Sequence, residues 1–243
     1  MALADKFTRA PAPRIGRRTL ADVAASHTFR LDAKQAEERF ALFDKWIEGI
    51  DHFLLGDMLP APVVKGAQPN YVDGLDEGVR VITTMAIQSL AIDERACRIA
   101  LSVDYGTDSV RRPRADDVLL TVDGGTSIGK AALFDLDGLY AVDSHVAILR
   151  PVGIEPGLLV HLLASPLGQL QFQRSESGAS GQTAVTEDDI RRFRFPVLSD
   201  EAATRALTDV RAARAEAQAL RKQAEDREAQ GWTEFLSEFP AAD

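Results

Sequence analysis

The chain has 243 residues, of which 45% are hydrophobic, enough for one sizeable core and an appendage rather than several full domains. Its formal net charge of −9 argues against binding nucleic acid through overall charge alone. The single cysteine, Cys97, cannot form an internal disulfide, and no stretch approaches the roughly 20 apolar residues of a membrane span. The sequence also has no apolar run typical of a signal peptide. A cytoplasmic protein is therefore expected.

The first third of the chain predicts an arm, a short helical element and one amphipathic helix. Residues 1–14, with two prolines, are expected to form a flexible arm, and a short helix is predicted at 19–24. Apolar side chains recur at helical spacing over 33–50, with Asp32 as a plausible N-cap. From 62 onwards the pattern changes to short β-prone runs separated by Gly, Pro and Asp. The predicted strands are Val63–Val64, Val79–Thr84, Val118–Val122, Ala131–Phe134 and His145–Leu149.

The next part of the chain returns to helical periodicity. One helix is predicted over Gly157–Phe172, and a short helix over 186–192 is expected to begin at Thr186, with Asp189 three residues later. A last strand is predicted at Phe193–Val197. The fold class expected for residues 15–198 is therefore an α/β domain with a mixed sheet, not a regular β-α-β alternation.

Beyond the predicted domain, the composition indicates one long helix of coiled-coil type within 199–239. It is expected to run to about Gln230 and to end at Gly231, followed by an aromatic tail. A heptad seam of small residues predicts a surface for dimerisation or partner docking. Its candidate interface residues are Val210, Ala213, Ala217, Leu220 and Ala224. Packing of this helix against its own domain is an equally good interpretation.

The segment Asp123–Ser127 is a glycine-rich turn between two β-prone runs, which predicts strand, loop and strand. Glycines without a Cβ let such a loop approach a phosphate, and Thr126, Ser127 and Lys130 add hydroxyl and ammonium groups. An ordinary hairpin turn explains the same residues. The spacing does not fit either Walker-type motif, because Lys130 is followed by alanine and no helix is predicted after the loop.

Several segments in a fixed order carry a family resemblance. The glycine-loop segment 115–134 is followed by a run ending in Leu-Arg-Pro at 140–151, and then by a helix with Ser165 and Gly168. A Gly/Ser loop at 177–183 and a strand at 190–198 complete the series. These segments resemble the target recognition domain of type I restriction–modification specificity subunits. Two upstream segments, 30–33 and 64–71, resemble the entry to that domain when it follows an adenine methyltransferase, and 79–92 resembles one of its strands.

This resemblance implies a non-catalytic subunit with one target recognition domain that reads a half-site in double-stranded DNA. It implies a long helix that docks to an adenine DNA methyltransferase subunit, which would bind AdoMet, and a restriction or translocase subunit is a further possible partner. Full-length family members have two recognition domains and two such helices. A homodimer related by a two-fold axis would restore that pattern and would read a symmetric, interrupted site.

Catalytic and metal-binding patterns are not found in the sequence. Neither an Asn-Pro-Pro-Tyr nor an Asp-Pro-Pro-Tyr tetrapeptide occurs, and the four histidines show no metal-ligand spacing. Asp143, Ser144 and His145 are adjacent on a predicted strand, where they would point to opposite faces and form no triad. The acidic pairs 116–117 and 188–189 are interpreted as solvated turn and helix-start residues. No catalytic residue, metal or cofactor is therefore expected in this chain.

The polar loop residues suit the recognition of a surface. Hydroxyls and long cations can contact phosphates, and a glutamine can pair with adenine through two hydrogen bonds. The candidate DNA-binding residues are Lys65, Gln68, Tyr71, Arg111, Arg112, Arg114, Thr126, Ser127, Lys130, Ser180, Gln182 and Thr183. Ordinary exposed loop residues are the alternative for each of them.

Two other functions fit parts of the sequence. An acidic protein-interaction or regulatory module of the same fold, without DNA binding, agrees with the net charge of −9. In its extreme form it would be an acidic mimic of DNA. An enzyme acting on phosphates at 124–130 is disfavoured, because neither a helix after the loop nor a metal-binding constellation is predicted.

Overall fold

The computed structural model describes residues 19–25, 37–73, 78–88, 90–101, 111–176, 183–237 and 239. The chain divides into two compact units, Met1–Val197 and Leu198–Asp243. The predicted arm at 1–14 and the Asp32 cap lie outside the described residues.

The first unit contains five described helices and twelve described strands. The helices are α1 (Leu20–Ala25), α2 (Glu38–Ile47), α3 (Pro156–Ala164), α4 (Pro166–Ser175) and α5 (Glu187–Arg191). The first six strands are β1 (His52–Leu54), β2 (Val64–Lys65), β3 (Tyr71–Val72), β4 (Gly78–Ile82), β5 (Ile87–Gln88) and β6 (Ala91–Ile92). The other six are β7 (Arg98–Leu101), β8 (Val118–Thr121), β9 (Ala131–Leu133), β10 (Tyr140–Val142), β11 (Val146–Leu149) and β12 (Arg194–Pro196).

The described strands form two four-stranded sheets and two strand pairs. One sheet has the order β2-β11-β8-β9 and is antiparallel throughout. The other has the order β10-β4-β7-β3, in which β10 and β4 are parallel and the remaining neighbours are antiparallel. The pairs are β1-β12 and β5-β6. The predicted class, α/β with a mixed sheet followed by a long helix, is confirmed.

The β2-β11-β8-β9 sheet is buried on both faces along its two central strands. Val118 and Leu120 pack with Leu159 and Phe172 of the helices, whereas Leu119, between them, packs in a second cluster with residues of β4, β10 and β11. Alternate residues of a strand point to opposite faces, so a strand covered on both sides favours apolar residues at nearly every position, and Thr121 at the end of β8 is the buried polar exception. This explains the uninterrupted apolar runs in β8 and β11.

The predicted single helix at 157–172 is wrong, because the chain forms α3 and α4 with a break at Ser165. Pro166 lacks an N–H and favours an extended residue before it, and Ser165 has φ −66° and ψ 162°. The Ser165 hydroxyl accepts a hydrogen bond from the Gly168 N–H, which starts the second helix. A Cβ at Gly168 would lie 2.2 Å from the Leu163 carbonyl oxygen.

Two further interpretations of the sequence need correction. Asp143, Ser144 and His145 do not lie on a strand, since Ser144 and His145 form the turn between β10 and β11. Asp117 is not solvated: it is 5% exposed and forms an ion pair with Arg150. The expected cap by Thr186 is confirmed at the start of α5, where Thr186 and Asp189 form a capping box. Asp189 is 4% exposed, so the prediction that it is solvated is wrong.

The second unit is dominated by α6 (Asp200–Ser237), a helix of 38 residues with a length of about 57 Å. The predicted end at Gly231 is wrong, because α6 continues through that residue. Val210 and Leu220 of the predicted seam are 43% and 59% exposed. Near the end of α6, the rings of Trp232 and Phe235 lie 5.8 Å apart, edge to face. None of the described helices is long and apolar enough to cross a membrane.

Candidate nucleic-acid interface

Four segments meet at one end of β8 and β11. We call them the loop surface: residues 65–71, 123–130, 143–145 and 183–184. Asp123 pairs with Ala184 through an isolated bridge, and Ala67 pairs with Asp143 in the same way. The Val122 N–H donates to the His145 carbonyl at 3.0 Å, which holds the start of the 123–130 segment beside the 143–145 segment. The loop surface therefore gathers residues that are up to about 120 positions apart in the sequence.

Gly66 sets how closely the first segment approaches the β10–β11 turn. A Cβ at this position would lie 1.9 Å from the Val142 carbonyl oxygen and 2.3 Å from that of Asp143. No side chain fits there without displacing backbone. Glycine is thus required to place Lys65 and Gln68 beside the turn at 143–145.

The glycine loop connects the antiparallel strands β8 and β9, as predicted, and contains a 3-10 turn at Gly125–Ser127. Gly124 has φ +103°, a left-handed conformation that favours glycine. The N–H groups of residues 127–130 all donate to carbonyl oxygens within residues 121–127. Those four donors are occupied, so contact with a phosphate would depend mainly on side chains such as the exposed Thr126.

A charged cluster lies at the centre of the loop surface. Lys65 Nζ is 2.7 Å from Asp123 Oδ2, and His145 Nδ1 hydrogen-bonds to Asp123 Oδ1. The Lys65 and His145 side chains are 49% and 48% exposed, whereas that of Asp123 is only 18% exposed. The carboxylate is therefore recessed beneath the two basic side chains that it holds.

Polar contacts fix the neighbouring side chains. The Ser144 hydroxyl donates to Gln68 Oε1 at 3.0 Å. The guanidinium of Arg98 lies 3.5 Å from the centre of the Tyr71 ring, a cation–π contact. Burial, together with the nearby Asp143 carboxylate, raises the pKa of the Tyr71 hydroxyl. Gln68 and Tyr71, both candidates from the sequence, thus have defined partners on or beside the loop surface.

Asp143 is buried beneath this surface, with 4% exposure. Burial raises the pKa of its carboxyl, although the His145 N–H donates to Oδ1 at 2.9 Å and opposes that shift. The carboxylate fixes the turn that carries Ser144 and His145.

The arginines at 111–114 do not join the glycine loop in space. Asp117 accepts hydrogen bonds from the Arg114 N–H at 2.9 Å and from Arg150 Nε at 3.2 Å. Strand β8 separates Asp117 from Asp123, so these arginines lie at the opposite end of the strand. Arg111 and Arg114 are exposed and Arg112 is half-buried.

The other candidates from the sequence are placed only in part. Ser127, Lys130 and Thr183 are half-buried, and Ser180 and Gln182 lie outside the described residues. Sequence reasoning missed Asp123, Ser144 and His145 as members of the site. The signal for Ser144 and His145 was a polar tripeptide at 143–145 between apolar strands, and Asp123 opens the glycine-rich turn.

Two observations on the described residues concern metal binding and the reactivity of the cysteine. Among those residues, no group of three or more His, Cys, Asp and Glu side chains could hold a metal ion. Burial raises the pKa of the half-buried Cys97 thiol to about 11, so the thiol is protonated at neutral pH. The arrangement offers hydrogen-bond donors, acceptors and cations to a surface.

Comparison with known proteins gives a likeness of fold. No family model matches the chain, and neither does any curated protein. A solved structure concerning the complex assembly and conformational transition of the type I restriction–modification system contains a chain with the same fold. The TM-score is 0.51 with 17% identity, over 81% of this chain and 49% of that one. The expected resemblance is thus confirmed at the level of fold.

Two specificity subunits are also similar to this chain. The HsdS subunit from Thermoanaerobacter tengcongensis has a TM-score of 0.47 and 23% identity, over 79% of this chain and 50% of that one. The type I system S subunit from M. genitalium has a TM-score of 0.43 and 13% identity, over 77% of this chain and 47% of that one. The present chain spans about half the length of each of these structures.

Proposed function

We propose that this chain is a non-catalytic subunit that recognises a DNA sequence for a restriction–modification or related phage-defence methyltransferase complex. The observation that carries the proposal is the loop surface, built on a fold shared with a chain of a type I restriction–modification structure. In this proposal the loop surface reads one half-site of double-stranded DNA.

The chemistry of the loop surface supports two kinds of contact. Lys65, Thr126, Ser127 and Lys130 supply the ammonium and hydroxyl groups that bind phosphates, which position a protein on DNA without reading sequence. Gln68, held by Ser144, supplies an amide that can reach base edges, and we extend the same role to Gln182. Tyr71 and Thr183 complete the surface.

The partners proposed are an adenine DNA methyltransferase subunit, which would bind AdoMet, and in some assemblies a restriction or translocase subunit in the cytoplasm. Helix α6 is the proposed docking element, because Val210 and Leu220 are exposed on a seam of otherwise small residues. A second copy of the chain would supply the second recognition domain and helix.

The experiment compares two variants in the chain co-expressed with an adenine methyltransferase. Lys130→Ala should weaken binding to every duplex alike and lower the dependence on salt by about one unit of slope, because one phosphate contact is lost. Gln182→Ala should cost roughly 1–3 kcal/mol on the true site only and relax the preference at one base pair. Labelled duplexes of selected and random sequence, titrated at several salt concentrations, distinguish the two effects.

Lys45→Ala is the matched control, since it removes an exposed lysine from α2, outside the loop surface. It should change neither the affinity for random duplexes nor the slope. If Lys130→Ala and Gln182→Ala both bind selected and random duplexes like the wild type, the proposal is wrong for these loops. An acidic interaction module, with which the net charge of −9 agrees, would then be the better account.

A further inference from the structure

Asp123 is the acidic side chain that joins two of the described basic groups of the loop surface, Lys65 and His145. Its two carboxylate oxygens are divided between Lys65 and His145, which come from segments on either side of it. Its backbone pairs with Ala184 and thereby contacts the fourth segment. Asp123 thus touches every other part of the loop surface except the 66–71 stretch.

Asp123 is more buried than Lys65 and His145, which indicates different roles for the acidic and the basic side chains. Asp123 is recessed, with 18% of its side chain exposed, so it is poorly placed to reach a base edge in a groove. Lys65 and His145 are about half exposed and project beyond it. A duplex lying on the loop surface would meet the two basic side chains first, with the carboxylate behind them.

The charge of Asp123 also acts on any phosphate that approaches. A lysine already paired with a carboxylate gives up that pairing when it binds a phosphate, and the carboxylate then repels the same phosphate. An ion pair whose lysine is half exposed is weak, so a well-fitted duplex can replace it. A poorly fitted duplex makes too few other contacts to offset the loss.

We propose that Asp123 is a specificity-determining positioning residue of the DNA interface. It holds Lys65 and His145 in place and suppresses the attraction of Lys65 for phosphates of any sequence. This inference rests on the proposed function and adds to it an acidic residue that helps the chain to distinguish its target sequence from other DNA. Asp123 acts through Lys65 and His145, not by contacting DNA itself.

The test is Asp123→Asn, in which the amide oxygen still accepts a hydrogen bond from Lys65 but the charge is removed. Releasing one cation makes the slope of log affinity against log salt more negative by about 0.9, which corresponds to about eightfold tighter binding near 0.1 M salt. The probe is a short labelled duplex of random sequence, titrated by fluorescence anisotropy between about 0.05 and 0.2 M salt. We expect tighter binding to this duplex and a lower ratio of selected-site to random-site affinity.

A double-mutant cycle separates this mechanism from a change in net charge. In the Lys65→Ala background, Asp123→Asn should raise the affinity for random duplexes much less, because the released cation is absent. Asp135→Asn is the matched control. It removes an exposed acid beyond β9, at the end of the sheet where Phe134 hydrogen-bonds to Asp117. It should leave the slope unchanged.

Each outcome decides the matter. The inference is overturned if Asp123→Asn leaves random-duplex affinity unchanged or lowers it, or if Asp135→Asn reproduces its effect. Should Asp123→Asn fail to fold, Lys65→Ala still tests the inference. Lys65 is already paired with Asp123, so its removal should lower the affinity for random duplexes less than the removal of Lys130 does. If Lys65→Ala lowers the affinity for random duplexes as much as Lys130→Ala or more, the inference is contradicted. Absence of binding to any duplex, by wild type and variants alike, rejects the proposed function as well.

Discussion

The buried ion pair between Asp117 and Arg150 gives the sharpest test of how the described fold is held together. Asp117 is 5% exposed, and its carboxylate lies 3.2 Å from Arg150 Nε and 3.3 Å from Nη2. It also accepts the Arg114 N–H at 2.9 Å. The carboxylate therefore joins the start of β8, the end of β11 and the segment that carries the clustered arginines.

Asp117→Ala is expected to destabilise the first unit by about 3–5 kcal/mol, because breaking a buried pair leaves a charge without its partner. The lower part of that range applies here, since Arg150 retains a hydrogen bond from Nη2 to the Arg112 carbonyl at 3.2 Å. Replacing both partners, as in Asp117→Ala with Arg150→Met, should cost less than the sum of the single changes. A difference of about 0.5–3 kcal/mol is expected for residues in direct contact.

Urea unfolding followed by tryptophan fluorescence can measure this effect in the first unit alone. The chain has two tryptophans, Trp46 in α2 and Trp232 in α6, so a Trp232→Phe background leaves Trp46 as the probe. Asp116→Asn is the control, because it removes an exposed acid next to Asp117 and should change stability by less than about 0.5 kcal/mol. If Asp117→Ala costs no more than this control, the ion pair does not stabilise the fold.

Four further changes test separate features. Leu220→Asp should abolish self-association or co-purification with a methyltransferase while preserving helicity, because Leu220 is 59% exposed; loss of the circular dichroism signal would instead place it in a core. Thr121→Val should leave the melting temperature unchanged or raise it, since the buried hydroxyl has no hydrogen-bond partner among the described residues; a cost above about 1 kcal/mol would contradict this. Gly231→Ala should stabilise α6 by roughly 0.5–1 kcal/mol in a thermal melt, because a Cβ there meets no atom within 4 Å. Burial raises the pKa of Asp143, so wild-type stability should fall as pH rises through that pKa; the stability of Asp143→Asn relative to wild type should therefore increase between about pH 3 and pH 7, and an unchanged difference would refute the reasoning.

Strands that are buried on both faces have a recognisable apolar composition, and such strands were predicted from the sequence. Strands β8 and β11 are covered on both faces, so all four positions of each are buried, and all of them except Thr121 are apolar. Strand β7, with the sequence Arg-Ile-Ala-Leu, was missed because it is partly exposed and has no run of large apolar residues. Its place between β4 and β3 depends on pairing with distant segments, which local pattern cannot supply.

The helix boundaries show how a local signal can be outweighed by another. The apolar periodicity of 157–172 continues across Ser165 and Pro166, and the prediction followed the periodicity. The proline and the serine cap dominate, because a helix-interior proline would cost about 3 kcal/mol. At Gly231 the opposite error occurred: glycine suggested an end, but the flanking residues continue α6 for six more positions to Ser237.

For the candidate site, the sequence indicated the loops but not the pairs within them. Lys65 and Asp123 are 58 positions apart, and Asp123 and His145 are 22 apart, so neither contact has a local signature. Proximity in sequence also misled. Arg112 and Arg114 precede the glycine loop closely, but the intervening strand places them at the other end of the sheet. Topology, not spacing, decides which of the polar residues share a surface.

The acidic charge of the chain has a direct consequence for the proposed function. Sequence-independent affinity for DNA grows with the number of phosphates that cations neutralise, and Lys65, one of the cations on the loop surface, is already paired with Asp123. The chain alone should therefore show a shallow dependence of affinity on salt, and a methyltransferase partner would have to supply most phosphate contacts in a complex. Such a division would leave this subunit to contribute discrimination between sequences, since base contacts carry that information and phosphate contacts do not. This division of roles can be measured by comparing the slope of log affinity against log salt for the isolated chain with the same slope for the assembled complex.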